Sequence, residues 1–363
     1  MKIMYCITSS SWGGAQLHVL ELCQDQIRRG NKVYFVVGNS GLLLDRIKQI
    51  KGVCIYVLPS LHREISPLND IRAVFQLRRL IKKIKPDILH LHSSKAGTIG
   101  RLSAVGLNCK VVFTVHGWAF TDGNGGKYKR SLYRFIERRM EPLTNVYICV
   151  SKYDKKIGYR DKVLKETDNV FVINNGVPKH SLKKKEEIKL PIKIIMVARF
   201  SPQKDQEMLI RALERTNKSK FQLSFVGDGE TLEHNKKLVK RLRLEDNVKF
   251  YGFKQNVIKY LEKNDLYVLT THYEGLPISI IEAMSCSLPI IASNVGGNSE
   301  LVQDGFNGFL VSSTQSLENR LNTFLKNPKL LRKMGDNSFK SFNEKFELAR
   351  CLEAVNNCYE QII

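Results

Sequence analysis

Short apolar runs alternate along the chain with longer segments of helical period. The runs at 2–8, 32–37, 53–58, 87–92, 111–115, 145–150 and 170–173 are rich in Val, Ile and Leu, and most are bounded by Gly, Asn, Ser or Pro. Runs this short and this β-favouring predict buried strands. Between them apolar residues recur every three or four positions. In 70–85, Ile71, Val74, Leu77, Ile81 and Ile84 are expected on one face and Arg72, Arg79, Lys82 and Lys83 on another. Strand and helix in alternation predict a doubly wound parallel α/β sheet.

The segment 178–191 interrupts this pattern. It is polar, charged and bounded by Pro178 and Pro191, which is a linker's composition. The alternation then resumes, with apolar runs at 192–197, 221–226, 247–251, 265–270 and 289–292. Two α/β domains are expected, 1–178 and 179–344, and 363 residues suffice for two cores.

The most informative turn follows the run 265–270. Gly275, Leu276, Pro277 and Ile278 lie there between a strand and a helix. Pro277 suits a first helical turn, since it has no N–H to lose and its φ is already helical. Gly275 permits a sharp backbone turn. Free N–H groups at such a helix start attract an anion, assisted by the helix dipole. Glu274 stands just outside this position and Glu282 about a turn and a half inside the helix. Carboxylates beside an anion site suit a ligand carrying hydroxyls and phosphates, such as a nucleotide sugar. By pattern alone the same residues also make a plain strand, turn and helix with two surface glutamates.

A longer run of residues separates these readings. Glu274-Gly275-Leu276-Pro277, Glu282-Ala283-Met284, Leu288-Pro289, Gly296 through Leu301 and Asn307-Gly308 together resemble the donor-site signature of the retaining glycosyltransferases of family 4. The resemblance covers nearly the whole chain and implies the GT-B fold. In that fold two Rossmann-like, doubly wound domains face each other across a cleft. The first takes the acceptor and the second the nucleotide-sugar donor, and the final helix, about 345–363, crosses back to the first domain.

The resemblance also implies roles for particular residues. Gly13 and Gly14, followed by His18, are similar to the family's glycine loop facing the donor phosphates. His116, which ends the run 111–115, matches a histidine beside the donor sugar. Arg199 and Lys204 fit the pattern that clamps the diphosphate, one as a planar fork and the other as a point charge. Gly227 lies near the nucleoside, and Gly252-Phe253 borders the base. Glu274 holds hydroxyls of the donor sugar and Glu282 the ribose diol.

The reaction implied is transfer of a hexose or N-acetylhexosamine, with retention, from a nucleotide sugar, with uridine the family-weighted base. The acceptor implied is a lipid-diphosphate-linked saccharide in surface-polysaccharide synthesis. No cofactor is expected. No Asp-x-Asp flanked by apolar residues occurs, so no metal is expected either. Arg199, Lys204 and the amides at 275–278 would neutralise the leaving diphosphate instead. No enzyme nucleophile is evident, which fits front-face attack with the donor phosphate taking the acceptor's proton.

Charge adds a partner to this picture. Lys and Arg number 58 against 35 Asp and Glu, a formal +23; residues 1–178 hold 29 against 13, or +16. Such an excess seeks nucleic acid or an anionic membrane. No zinc-finger, RNP or basic-zipper pattern occurs, so nucleic acid is not an expected partner. The helical segment from 127 places Lys127, Arg130, Arg134 and Arg138 on one ridge, with Tyr128, Leu132, Phe135 and Ile136 opposite. That ridge is expected on an anionic membrane surface, where a lipid-linked acceptor lies.

The eight cysteines include no C-x-x-C pair and read as reduced thiols. No apolar run approaches the ~18 residues of a spanning helix, and the amino-terminal run is too short for a signal-peptide core. The expected location is therefore cytoplasmic, peripheral on the inner face of the cell membrane. Other classes share parts of the pattern. A glycoside hydrolase uses two carboxylates but has no need of an anion site and a cationic clamp. A GT-B nucleotide-sugar epimerase is the alternative enzyme, and a basic nucleic-acid-binding protein would account for the charge alone.

Overall fold

The computed structural model describes residues 1–121, 126–180 and 188–363. The interior of the loop at 121–126 and the middle of the linker expected at 178–191 lie outside the described residues. Two compact units result, Met1–Asn175 with Arg350–Ile363, and Gly176–Ala349.

The first unit runs β1 (Lys2–Ile7), α1 (Gly14–Arg28), β2 (Lys32–Val37), α2 (Leu42–Ile47), β3 (Val53–Val57), α3 (Pro67–Ile84), β4 (Ile88–His92), α4 (Ser94–Ala104), β5 (Lys110–Val115), α5 (Lys127–Met140), β6 (Val146–Cys149), α6 (Lys152–Arg160) and β7 (Val170–Val172). Its strands are all parallel, in the order β3-β2-β1-β4-β5-β6-β7. Helices cover both faces, so the inner strands are buried on both sides and do not alternate between core and solvent. All five residues of β4 are buried, for example.

The second unit runs β8 (Ile192–Val197), α7 (Gln206–Glu214), β9 (Phe221–Val226), α8 (Leu232–Arg241), β10 (Val248–Phe250), α9 (Ile258–Leu261), β11 (Leu266–Leu269), α10 (Ile278–Ser285), β12 (Ile290–Ser293), α11 (Asn298–Leu301), β13 (Gly308–Val311), α12 (Thr314–Lys326) and α13 (Lys329–Lys345). The strand order is β10-β9-β8-β11-β12-β13, again parallel. The edge strand β13 is absent from the sequence-based expectation because its apolar stretch is only Phe309-Leu310-Val311.

The carboxyl-terminal helices divide between the units. α13 packs on α10 and stays in the second unit. The helix stops at Lys345, where Val177 N–H donates to Phe346 O at 3.1 Å. A last helix, α14 (Leu348–Glu360), then carries Tyr359 into the first unit. There its hydroxyl lies 3.2 Å from Tyr5 Oη and 2.5 Å from His90 Nδ1.

Two helices of the first unit are turned differently from the expectation. On α3 the buried residues are Ala73, Leu77, Ile81 and Ile84, whereas Ile71 is exposed together with Leu68 and Phe75. On α5 the one buried residue is Glu137. Its carboxylate accepts from Arg101 Nη1 at 2.7 Å, and the Arg101 guanidinium lies 4.1 Å from the Phe113 ring centroid. A carboxylate paired to a fully buried arginine fixes which side of α5 faces inward. The ridge expected of Lys127, Arg130, Arg134 and Arg138 therefore divides. Arg134 pairs with Asp161 and Arg138 donates to the Asp161 carbonyl, while Tyr128, Leu132 and Phe135 face solvent, Tyr128 at 95% exposure. Among the described residues no helix is long and apolar enough to cross a membrane. All eight cysteines are thiols, with Cys54 exposed, Cys109 half-buried and the other six buried.

Candidate functional site

In the second unit the strand order reverses between β8 and β11. The loops at such a reversal diverge and leave a crevice outside the carboxyl ends of the strands, where α/β sheets hold ligands. The loop after β8 carries Arg199 and Lys204, and the loop after β11 carries Glu274. Gln203 sews the two together. His272 N–H and Thr271 Oγ1 donate to its carbonyl at 2.9 and 3.1 Å, and its Nε2 donates to Tyr273 O at 2.7 Å. Across this seam the Lys204 ammonium donates to Glu274 Oε1, with the two side chains only 15% and 8% exposed. Lys204 thus already has a carboxylate partner. Arg199 is exposed, and its carbonyl accepts from Gln206 Nε2 at 3.0 Å.

The turn at Glu274 is shaped by a glycine other than Gly275. Gly296, in the loop after β12, has φ +56°, and a Cβ there would stand 2.0 Å from Glu274 O. Gly297 N–H donates to Gly275 O at 2.9 Å. The left-handed position belongs to Gly296, and Gly275 is not among the positive-φ residues. Pro277 is also displaced from its expected place in the first helical turn. It caps α10 in an extended conformation (φ −70°, ψ 116°), so the helical N–H groups begin at Ile278. Leu276, Pro277 and Ile278 are buried at this start. On the other side of β8, Gly227 has φ +147° and no room for a Cβ, which would lie 1.9 Å from Ala198 O; its N–H donates to Gly252 O at 3.0 Å. Glu282 is partly buried on α10, and desolvation pushes its carboxyl up to about 7.

In the first unit the reversal lies between β1 and β4. Gly13 caps α1 in an extended conformation, and the helix begins at Gly14. His18 on α1, His92 at the end of β4 and His116 after β5 gather beside this turn. The His18 and His116 ring centroids are 5.4 Å apart, as are those of His92 and His116. His92 Nδ1 lies 3.1 Å from His116 Nε2. Burial drives His18 down to about 4 and holds His90, His92 and His116 well below the usual imidazole range. His116 is therefore a neutral hydrogen-bonding group. The expectation from sequence included His116 and His18 but passed over His90 and His92. The signal was their two-residue spacing at a strand end, which puts both on one side of the sheet.

The assigned residues thus form one group in each unit. Arg199, Lys204, Gly227, Glu274 to Ile278 and Glu282 border the β8 and β11 ends, and Gly13, Gly14 and His116 border those of β1 and β5.

Comparison with known proteins matches both halves of the chain to glycosyltransferase families. Residues 178–341 match the family model described as glycosyl transferases group 1, and residues 12–180 match that of glycosyltransferase family 4. The chain is 31% identical over 314 residues to the O-antigen biosynthesis glycosyltransferase WbnH of Escherichia coli, covering 86% of this chain and 87% of that one. It is 29% identical over 352 residues to the UDP-Gal:α-D-GlcNAc-diphosphoundecaprenol α-1,3-galactosyltransferase of Escherichia coli, covering 91% and 89%. HepE of Anabaena, solved with UDP-glucose, aligns with a TM-score of 0.85 at 21% identity over 99% of this chain and 100% of that one, a likeness of GT-B fold.

Glu282 gives a pH signature. Its carboxyl ordinarily titrates at 4.5 and in the folded chain at about 7. Between those values the folded form holds a proton that the unfolded form has lost, so stability falls as pH rises through the window. Glu282→Gln removes this titration. Urea midpoints of parent and variant are expected to be nearly equal at pH 5, with the variant more stable at pH 8. A difference independent of pH would contradict the assignment.

Proposed function

The chain belongs to the family 4 glycosyltransferases, and we propose that it moves a hexose or N-acetylhexosamine from a UDP-sugar, with retention, onto a lipid-diphosphate-linked saccharide in surface-polysaccharide synthesis. The observation that carries this reading is the Lys204–Glu274 contact beside the start of α10. It joins a cation suited to phosphate with a carboxylate suited to hydroxyls, next to helix N–H groups that favour an anion.

Departure of the nucleoside diphosphate builds negative charge on its β-phosphate. We assign that charge to Arg199, Lys204 and the first N–H groups of α10, acting as preorganised donors. The family resemblance assigns Gly13 and Gly14 to the donor phosphates. When phosphate takes the Lys204 ammonium, Glu274 is released to accept hydroxyls of the sugar. Glu282 accepts hydrogen bonds from the ribose diol, Gly227 leaves room for the nucleoside, and the family resemblance assigns neutral His116 to the sugar, where it would act by hydrogen bonding. The acceptor oxygen attacks the anomeric carbon from the face the diphosphate leaves, and its proton passes to the departing phosphate oxygen. The anomeric carbon's bond to phosphate breaks as its bond to the acceptor forms. Charge neutralisation by these groups requires no metal, and we propose none.

We further propose that the first unit docks on the anionic inner face of the cell membrane. α5 exposes Tyr128, Leu132 and Phe135 at helical spacing, with Lys127, Lys129, Arg138 and Arg139 around them, and α3 exposes Leu68, Ile71 and Phe75. Exposed apolar residues among basic ones suit the boundary between headgroups and acyl chains. One relative's name specifies a diphosphoundecaprenol-linked acceptor, a substrate held in such a membrane.

Two experiments follow from these assignments. A panel of nucleotide sugars with a lipid-linked acceptor is expected to release nucleotide from a UDP-sugar at a rate unchanged by chelator. Glu274→Ala and Lys204→Ala should each slow release about a hundredfold or more, the scale of losing one preorganised group. Parent-like rates in either variant would overturn the site. In vesicle sedimentation the protein is expected to bind anionic vesicles over neutral ones, and replacing Tyr128, Leu132 and Phe135 together by Ser should abolish the binding. Equal binding to neutral vesicles, or an unaffected triple variant, would rule out this docking face.

A further inference from the structure

The histidine layer of the first unit has an internal order that bears on His116. His90 is held at both ring nitrogens, with Nδ1 2.5 Å from Tyr359 Oη and Nε2 2.6 Å from Thr114 Oγ1. The His92 ring packs on it, tilted by 36°, at 4.2 Å between centroids, with Tyr5 at 6.0 Å and the His18 ring edge-on at 5.9 Å. Packed on these sides, His92 has little freedom to turn. Its Nδ1 faces His116 Nε2 at 3.1 Å, and its own Nε2 is buried with no hydrogen-bond partner among the described residues.

Two neutral imidazoles joined by one hydrogen bond allow two proton arrangements. If His116 Nε2 donated, His92 would carry its proton on Nε2, a buried N–H with nothing to accept it. Orphaned buried N–H groups are rare because they lose their bond to water without replacement. The other arrangement puts the proton of His92 on Nδ1, where it is used, and leaves only a lone pair at the buried nitrogen. His116 Nε2 is then an acceptor, and its single proton must sit on Nδ1.

We infer that His92 is a positioning residue that fixes His116 as the Nδ1–H tautomer, so that His116 presents an N–H donor to the donor sugar and acts neither as a base nor as a cation. The inference rests on the reading above in which His116 meets the sugar. It deepens that reading by naming the residue that sets the direction of the hydrogen bond. Burial, which keeps the imidazoles neutral, is what makes a fixed tautomer possible.

The test is long-range nitrogen–proton correlation on full-length protein labelled with 15N-histidine, supported by transfer kinetics. The parent is expected to show His116 protonated on Nδ1. His92→Leu removes the donor, so that the tautomer of His116 is no longer fixed, and should lower kcat about tenfold, the lower end of what partners that orient a metal-bound histidine contribute. His92→Asn keeps an N–H near the position of Nδ1 and should restore both the tautomer and most of the rate. An Nε2–H signal for His116 in the parent overturns the inference. An unchanged transfer rate in His92→Leu ends the positioning role while leaving glycosyl transfer intact. Should no nucleotide sugar be a substrate, the parent tautomer still decides the proton assignment.

Discussion

The contact between Lys204 and Glu274 organises the ligand edge of the second unit. Both groups are largely withdrawn from water, and each charge removed from water costs several kcal/mol unless a partner compensates. Their mutual attraction supplies that compensation, so neither residue can sit there charged and alone. The two loops that bear them, after β8 and β11, are consequently interdependent, as the Gln203 hydrogen bonds between them also show. A ligand that offers phosphate to the ammonium and hydroxyls to the carboxylate replaces one contact by several. A saccharide without phosphate, or a phosphate without hydroxyls, compensates only one of the two charges.

Both units use the same topological device and fill it with different chemistry. A parallel sheet whose strand order reverses leaves diverging loops at one edge, and here that happens at β1/β4 and at β8/β11. The second unit furnishes charges and helix N–H groups there, which suit an anion. The first furnishes glycine backbone and buried imidazoles that are neutral and hence suited to directional hydrogen bonds. α14 contributes to the imidazole layer through Tyr359, so the end of the chain holds His90 at its beginning half.

Much of this plan was legible in the sequence because burial on both faces writes parallel strands as short apolar runs. Residues 192–197 and 221–226 were bounded to the residue on that basis, as β8 and β9 show. Orientation was less legible. Hydrophobic periodicity placed Tyr128, Leu132 and Phe135 away from the basic ridge but could not say which side of α5 faces the core. That is decided by Glu137, the lone acid of a basic helix, which pairs with an arginine 36 positions earlier. Ile71 was misassigned for a related reason: a wide apolar stripe on α3 includes residues that stay outside. At the site, Glu274, Lys204 and Arg199 could be named from the family resemblance, but their pairing could not, since contact between distant loops leaves no local pattern. The role of Gly296 was hidden likewise, because its steric partner is the backbone of Glu274.

The central claim is that the β8/β11 edge holds the leaving diphosphate. A crystal structure of the protein with UDP tests it most directly. The β-phosphate is expected within hydrogen-bond distance of Arg199, Lys204 and the first N–H groups of α10, with the ribose on Glu282 and the Lys204–Glu274 contact opened. A diphosphate bound elsewhere, or bound there with Lys204 still paired to Glu274, would contradict it.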